Sequence, residues 1–366
     1  MAYCPKPGLP SGRLHSARKG VCTMSIHAHS QHRKRNILLI LAMGILLLLT
    51  AAVSLRVGSY ATPTLELIRG IFGKASDPKI NAVVGARLPR ICTAVVSGMG
   101  LGVTGCILQA VLQNPLASVT TLGISQGAGF GAAFAIMVLG AGASAGIASI
   151  SICSFLSSML VSLVILAIAK FRQITPETMV LVGVALSSMF TGATTLLQYF
   201  ANDVELSAFV FWTFGNLGST DWTEIQLITA VVLASALFFF LRRWDYNALY
   251  TGEQTAVSLG VNVKRTRVVN LLICSLVAAT IVSFIGIISF IGLVAPHIVR
   301  KLVGENYCYL IPGSAVMGAI LLLAGDLVSR VVVSPVILPI GAITSFLGAP
   351  LFLYLLFKGK NRHDRA

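Results

Sequence analysis

From Val268 to Val299 the chain carries no Asp, Glu, Lys or Arg. Such a run belongs in hydrocarbon, where a charged side chain at mid-depth costs several kcal/mol. As a single helix it would be about 48 Å long at 1.5 Å per residue, well beyond a roughly 30 Å bilayer core. Basic residues bracket it, with Lys264-Arg265-Thr266-Arg267 before and Arg300-Lys301 after. A hairpin returns both flanks to one face of the membrane, as the excess of Lys and Arg on cytoplasmic loops favours. The hairpin is the expected arrangement.

The rest of the chain has the same character. Mean hydropathy is +0.87, with 56% apolar and 11% charged residues, the composition of a polytopic membrane protein. A net charge of +15 does not point to nucleic acid, because the bases sit in short segments between apolar runs and not on one soluble face. Seven scattered cysteines form no CxxC pair, so neither a disulfide nor a metal site is expected, and no cofactor motif is present.

Residues 1–36 are polar and basic and read as a disordered cytoplasmic tail, with Met24 an alternative start. Spans are expected at Ile37–Leu55, Ile91–Leu112, Leu122–Gly140, Ile147–Ala169, Met179–Phe200, Ile225–Leu241, Val268–Phe284, Ile287–Val299, Leu310–Leu327 and Ile340–Phe357. Residues 37–357 then form one transmembrane domain and 358–366 a second basic tail. The predicted fold is an all-α polytopic membrane protein of about ten transmembrane helices with both termini cytoplasmic. Charge supports this: Arg56, Arg69, Lys74, Lys79, Arg87, Arg90 and Arg330 fall outside, and the other twenty of twenty-seven bases fall inside. The plasma membrane is the expected location.

Gly98-x-x-x-Gly102 and Gly127-x-x-x-Gly131 suit close helix approach, since apolar attraction between helices is absent in lipid. Two other glycine patterns carry less. Gly100-x-Gly102-x-x-Gly105 has dinucleotide-fingerprint spacing but lies in an apolar span without a preceding strand. Gly123-Ile124-Ser125-Gln126-Gly127 fits a nucleophile elbow, yet His297 is the sole histidine outside the tails that could serve as a base. No phosphate-binding loop of the Gly-Lys-Ser/Thr kind occurs, so the chain cannot hydrolyse ATP alone.

Several ordered motifs carry a resemblance. They are Gly252-Glu253-x-x-Ala256-x-x-Leu259-Gly260-Val261, Gly286-x-x-x-Phe290-Ile291-Gly292-Leu293-Val294-x-Pro296-His297-Ile298-x-Arg300, and Gln109-x-x-x-x-Asn114-Pro115-Leu116-Ala117. Together they resemble the permeases of ABC importers for iron-siderophores, haem and cobalamin, the FecCD-like family. Two positions depart from its pattern: Val119 stands where a proline is usual, and Ile337 where a Glu commonly precedes Leu-Pro.

The resemblance implies a dimer with a second permease copy or close homologue, two separate ATPase subunits inside, and a substrate-binding protein outside. It makes Gly252 to Val261 the ATPase coupling segment, Pro296, His297 and Arg300 an inner-face motif, and Thr175-Pro176-Glu177 part of the cytoplasmic gate. Arg87, Arg90 and Arg330 would receive carboxylates of the binding protein; on residue type alone they are equally arginines that snorkel at span ends. His297 is open between coupling and capping a helix at the inner interface. The implied cargo is an iron(III)-siderophore-type chelate, with haem or cobalamin as alternatives. An ion-coupled secondary transporter would need titratable groups at mid-membrane, and only Asp326, one turn before Arg330, comes near a span. An intramembrane serine hydrolase would rest on Ser125 and His297 alone.

Overall fold

The computed structural model describes residues 11–57, 78–141, 146–172, 175–333 and 336–363. Thirteen helices occur among them and no strand. They are α1 (Ser11–Arg56), α2 (Pro78–Val111), α3 (Ile124–Met137), α4 (Gly146–Arg172), α5 (Pro176–Phe200), α6 (Asp203–Thr213), α7 (Trp222–Leu241), α8 (Arg243–Tyr250), α9 (Glu253–Ser258), α10 (Val263–Ile285), α11 (Ile291–Val303), α12 (Tyr307–Val331) and α13 (Ile340–His363). Helices are the natural product of this composition, because an α-helix satisfies its own backbone polar groups where no water can.

Seven helices are long and apolar enough to cross a membrane by length and composition: α1, α2, α4, α5, α7, α10 and α12. Two of the other expected spans fall on shorter apolar helical stretches, Ile124–Met137 of α3 and Ile340–Leu355 of α13, and the third overlaps α11. The helix is interrupted within the predicted hairpin, between Ile285 and Ile291. Helix α10 stops at Ile285, and Gly286 takes φ 79° with the α-carbon hydrogen facing the Trp212 carbonyl, where a Cβ would come within 2.4 Å. Helix α11 then starts after Phe290, itself at φ 66°.

Two boundaries differ from the sequence reading. Helix α1 continues back to Ser11 through residues expected to be a tail. The expected outer segment Arg56–Arg90 is partly helical, since α2 begins at Pro78 and carries Arg87 and Arg90 within it. Hydropathy over this stretch is too low to mark a span, and Pro89 inside the helix does not end it. The outer-loop bases Arg69 and Lys74 lie outside the described residues.

Helix α2 is the axle of the fold. It packs against α1, α7, α8, α10, α11 and α12, and 78% of its most apolar window is buried. Its small residues make this contact possible. A Cβ on Gly98 would meet the Gly318 carbonyl oxygen at 2.5 Å, and one on Gly102 the Ser314 oxygen at 2.2 Å. A Cβ on Gly318 would meet the Gly98 oxygen at 2.2 Å, so the α2–α12 crossing is tight from both sides. Gly105 sits over Gly292 of α11, where its Cβ would lie 1.7 Å from the carbonyl oxygen. Pro296, four residues on, has no N–H to offer that carbonyl.

A second subassembly surrounds α3, which packs on α4, α5, α6 and α10. Gly131 faces the Cys153 carbonyl at a would-be Cβ distance of 2.2 Å, and Gly127 faces Val161 Cγ2 at 2.4 Å. Three buried hydroxyls are satisfied internally: Thr104 donates to the Gly100 carbonyl, Ser275 to that of Leu271, and Ser162 to Ser275 Oγ at 2.5 Å.

Candidate functional site

Two polar assemblies lie at opposite ends of α2. The first gathers the coupling segment. Glu253 to Ser258, expected to be a loop, is the short helix α9. Gly252 precedes it at φ 114°, a backbone conformation that disfavours any side chain. At its other end Gly260 takes φ 86°, the Gly260 N–H bonds the Val257 carbonyl and the Val261 N–H bonds that of Ala256. This is a Schellman cap, so the Leu-Gly-Val of the motif is the stop signal of a helix. Ala256 is fully buried, whereas Val257 and Leu259 stand 58% and 67% exposed.

Glu253 is not simply a solvated acid. Arg267 of α10 grips it with both terminal nitrogens, at 2.7 Å to Oε2 and 3.4 Å to Oε1. The same guanidinium donates through Nε to the Val111 carbonyl at 3.1 Å, the last residue of α2. One buried arginine therefore joins α9, α10 and the axle helix. In the sequence Arg267 was one base of a cluster, and nothing set it apart from Lys264 or Arg265.

Helix α8 is fastened to the same frame. Tyr246 donates to Asn270 Oδ1 at 2.5 Å, and burial pushes this phenol above its ordinary pKa, so it keeps its proton at physiological pH. Asn247 Oδ1 accepts the Tyr307 N–H at 3.0 Å, and the Leu249 carbonyl accepts from Gln113 Nε2 at 3.0 Å. Gln113 holds φ 45° at the turn after α2. Val119, the departure from the family's proline, is buried there.

Of the inner-face motif, Arg300 is held by Glu305 at 2.7 Å and donates to Gln109 Oε1 at 3.1 Å, linking α11 to α2. Glu305 escaped the sequence reading, since five residues across a helix end form no regular spacing. Pro296 is buried, and the His297 ring lies edge-on to Phe352 of α13 at 6.0 Å. His297, Arg300, Glu305, Gln109, Gln113 and Tyr307 line one polar cavity of about 400 Å³. In the segment expected to form the gate, Thr175 is the N-cap of α5, accepting from the Thr178 N–H at 3.4 Å, with Pro176 at the first helical position and Glu177 in the first turn.

The second assembly contains the three arginines singled out for docking. Asp326, fully buried, accepts Arg90 Nε at 2.7 Å on Oδ1, and Arg330 Nη2 lies 2.9 Å from Oδ2. The i,i+4 pair expected from sequence is present, and Arg90 joins it from α2. Arg330 also donates to the carbonyls of Ser54 and Val57 and to Ser54 Oγ. Arg87 donates to the Leu55 carbonyl at 2.8 Å and reaches that of Arg56 at 3.4 Å. These carbonyls belong to the end of α1, which has no intrahelical donors left. Arg87 and Arg330 thus cap α1, while Arg90 and Arg330 meet the acid. Ser125 is buried at the start of α3, in a turn where Gly123 at φ 79° packs on Gly183 and Ser187.

Residues 46–358 match the sequence profile of the FecCD transport family. This chain belongs to that family. It is 47% identical over 336 residues to a protein of Methanocaldococcus jannaschii designated an ABC transporter permease, covering 89% of this chain and 96% of that one. It is 33% identical to the Fe(3+)-citrate import system permease of Bacillus subtilis (89% and 97% covered) and 31% to the hemin transport system permease of Yersinia pestis (88% and 97%). A solved structure of an inward-facing metal-chelate type ABC transporter superposes with TM-score 0.78 at 28% identity, covering 87% of this chain and 99% of that one. The FecCD-family chain is a membrane transport permease, multi-pass and all-helical, of the plasma membrane.

Proposed function

We propose that this permease forms the transmembrane half of a binding-protein-dependent ABC importer for an iron(III)-siderophore-type chelate. Ten spans with both termini inside would pair with a second copy or a close homologue around a central path. Two ATPase subunits dock inside and a substrate-binding protein docks outside. The observation that carries the reading is α9: a short helix bounded by two glycines whose outward side chains, Val257 and Leu259, are apolar and whose Glu253 is tied through Arg267 to the end of α2. A push on such a helix moves the axle of the fold and not a loose loop. Thr175 and Pro176, at the start of α5, line one recess with Glu253 and Arg267, which suits a gate driven from the same point.

Iron-chelate cargo rests on the Fe(3+)-citrate relative and on the metal-chelate transporter of similar structure. The hemin relative, and a vitamin B12 import system permease of Vibrio vulnificus at 32% identity, support haem or cobalamin as the second reading. Uptake of radiolabelled ferric chelates, haem and cobalamin by a strain lacking this gene, with and without the gene restored, tests the assignment. Restored uptake of haem or cobalamin but of no ferric chelate would overturn the cargo.

A further inference from the structure

The recess of about 650 Å³ beside the Glu253–Arg267 pair, which the gate segment helps to line, has basic and apolar walls that the coupling and gate readings do not use. Its walls come from four helices: Leu163, Leu166 and Lys170 of α4, Pro176 and Met179 at the start of α5, Glu253 of α9, and Lys264, Arg267 and Val268 of α10. The floor is apolar and the rim is basic. Glu253 is the one acid among the lining residues, and it is already held by Arg267. Lys170 and Lys264 are both exposed, and no salt bridge to either is found among the described residues.

The apolar floor continues onto the outside of the protein. Leu156, Leu160 and Leu163 follow one another along one face of α4, each more than half exposed, and Val268 stands 40% exposed on α10. Both helices are long and apolar enough to span a membrane. The recess therefore opens sideways onto the face that acyl chains cover, with two ammonium groups at the depth where headgroups lie. We propose that it binds one anionic phospholipid of the coupling-side leaflet, its phosphate between Lys170 and Lys264 and one acyl chain along Leu163, Leu166 and Val268. Free phosphate would satisfy the lysines but leave the apolar floor empty, so the lipid is the better match. The inference needs a membrane-spanning chain only and is independent of cargo and ATPase.

Native mass spectrometry of the purified full-length permease, with phosphatidylglycerol, phosphatidylcholine or inorganic phosphate added, tests it. One phosphatidylglycerol should stay bound per chain in preference to phosphatidylcholine. K170Q/K264Q should reduce its retention by roughly tenfold, since each base near an anionic headgroup contributes on the order of a fewfold in affinity. K170R/K264R should retain it, which separates charge from damage to the fold. Equal retention of both lipids, unchanged retention in K170Q/K264Q, or inorganic phosphate displacing phosphatidylglycerol at equal concentration would overturn the proposal. A photo-crosslinking residue placed at Leu166 reports the occupant in native membranes: a lipid adduct supports the site, and a protein adduct in its place overturns it.

Discussion

Arg267 binds three elements with one guanidinium, and its removal therefore has a specific signature. Arg267→Met leaves the Val111 carbonyl without its donor and Glu253 without its partner. Hydrogen bonds to a charged group contribute about 1.5–3 kcal/mol, and the Glu253 part is discounted because that side chain is 47% exposed. Folding should survive, while the ratio of cargo imported to ATP hydrolysed in proteoliposomes should fall severalfold. An unchanged ratio would show that Arg267 merely packs. Asp326 presents the opposite case. It is fully buried between two arginines, and Asp326→Asn leaves both cations in place with no compensating charge. Breaking a buried pair in this way costs about 3–5 kcal/mol. A clear drop in thermal stability in detergent is expected, partly recovered when Arg90→Gln is added. Ser125, buried and set in a packed turn, should tolerate Ser125→Ala with near-normal transport; labelling of this serine by a fluorophosphonate would revive the hydrolase reading.

At the level of elements, the α2–α12 crossing is held by absence of side chains. Gly102→Val must push the Ser314 carbonyl away, and Gly98→Val that of Gly318, with backbone and not a flexible chain end in the way. Overpacking of this kind costs about 1–3 kcal/mol or more. Both variants should express poorly or melt early by fluorescence-detected size exclusion. Gly44→Ala on α1, where a Cβ meets nothing within 4 Å, is the control and should behave as wild type. The Gly98 and Gly102 spacing is readable from sequence because small residues four apart share a helix face. Its partner Gly318 is not, since nothing in one helix states which other helix it will meet. The same holds for α9: Gly252 and Gly260 stand out as glycines, but that they bound a helix follows only from their φ angles.

For the molecule as a whole, the proposed function has docking outside and driving inside act on the two ends of α2. The arginine assembly changes how docking has to be tested. Reversing Arg90 or Arg330 would place a second acid beside buried Asp326 and unfold the corner, so a loss of binding there would be uninformative. Arg87, half-buried and outside the Asp326 triad, is the suitable probe. Arg87→Glu should weaken capture of purified binding protein by permease in nanodiscs at low salt, and the difference should shrink at high salt. Equal affinity at both salt concentrations would leave Arg87 as a cap of α1 with no part in docking.

The run free of charge, the flanking bases and the ordered motifs determined by themselves that the chain is an all-helical membrane protein, that its charge-free run is interrupted, and which family it resembles. These are local properties: hydropathy over twenty residues, charge at span ends, glycine where the backbone must turn. Helix α2 began earlier than hydropathy indicated, because Pro78 to Arg90 is held by contacts to α1 and to Asp326 that no window of sequence contains. Tertiary structure alone decided the partners of the charges. Arg90 meets an acid 236 residues away and Arg267 a carbonyl 156 residues away, and in a low-dielectric interior each buried charge must find such a partner wherever the fold brings one.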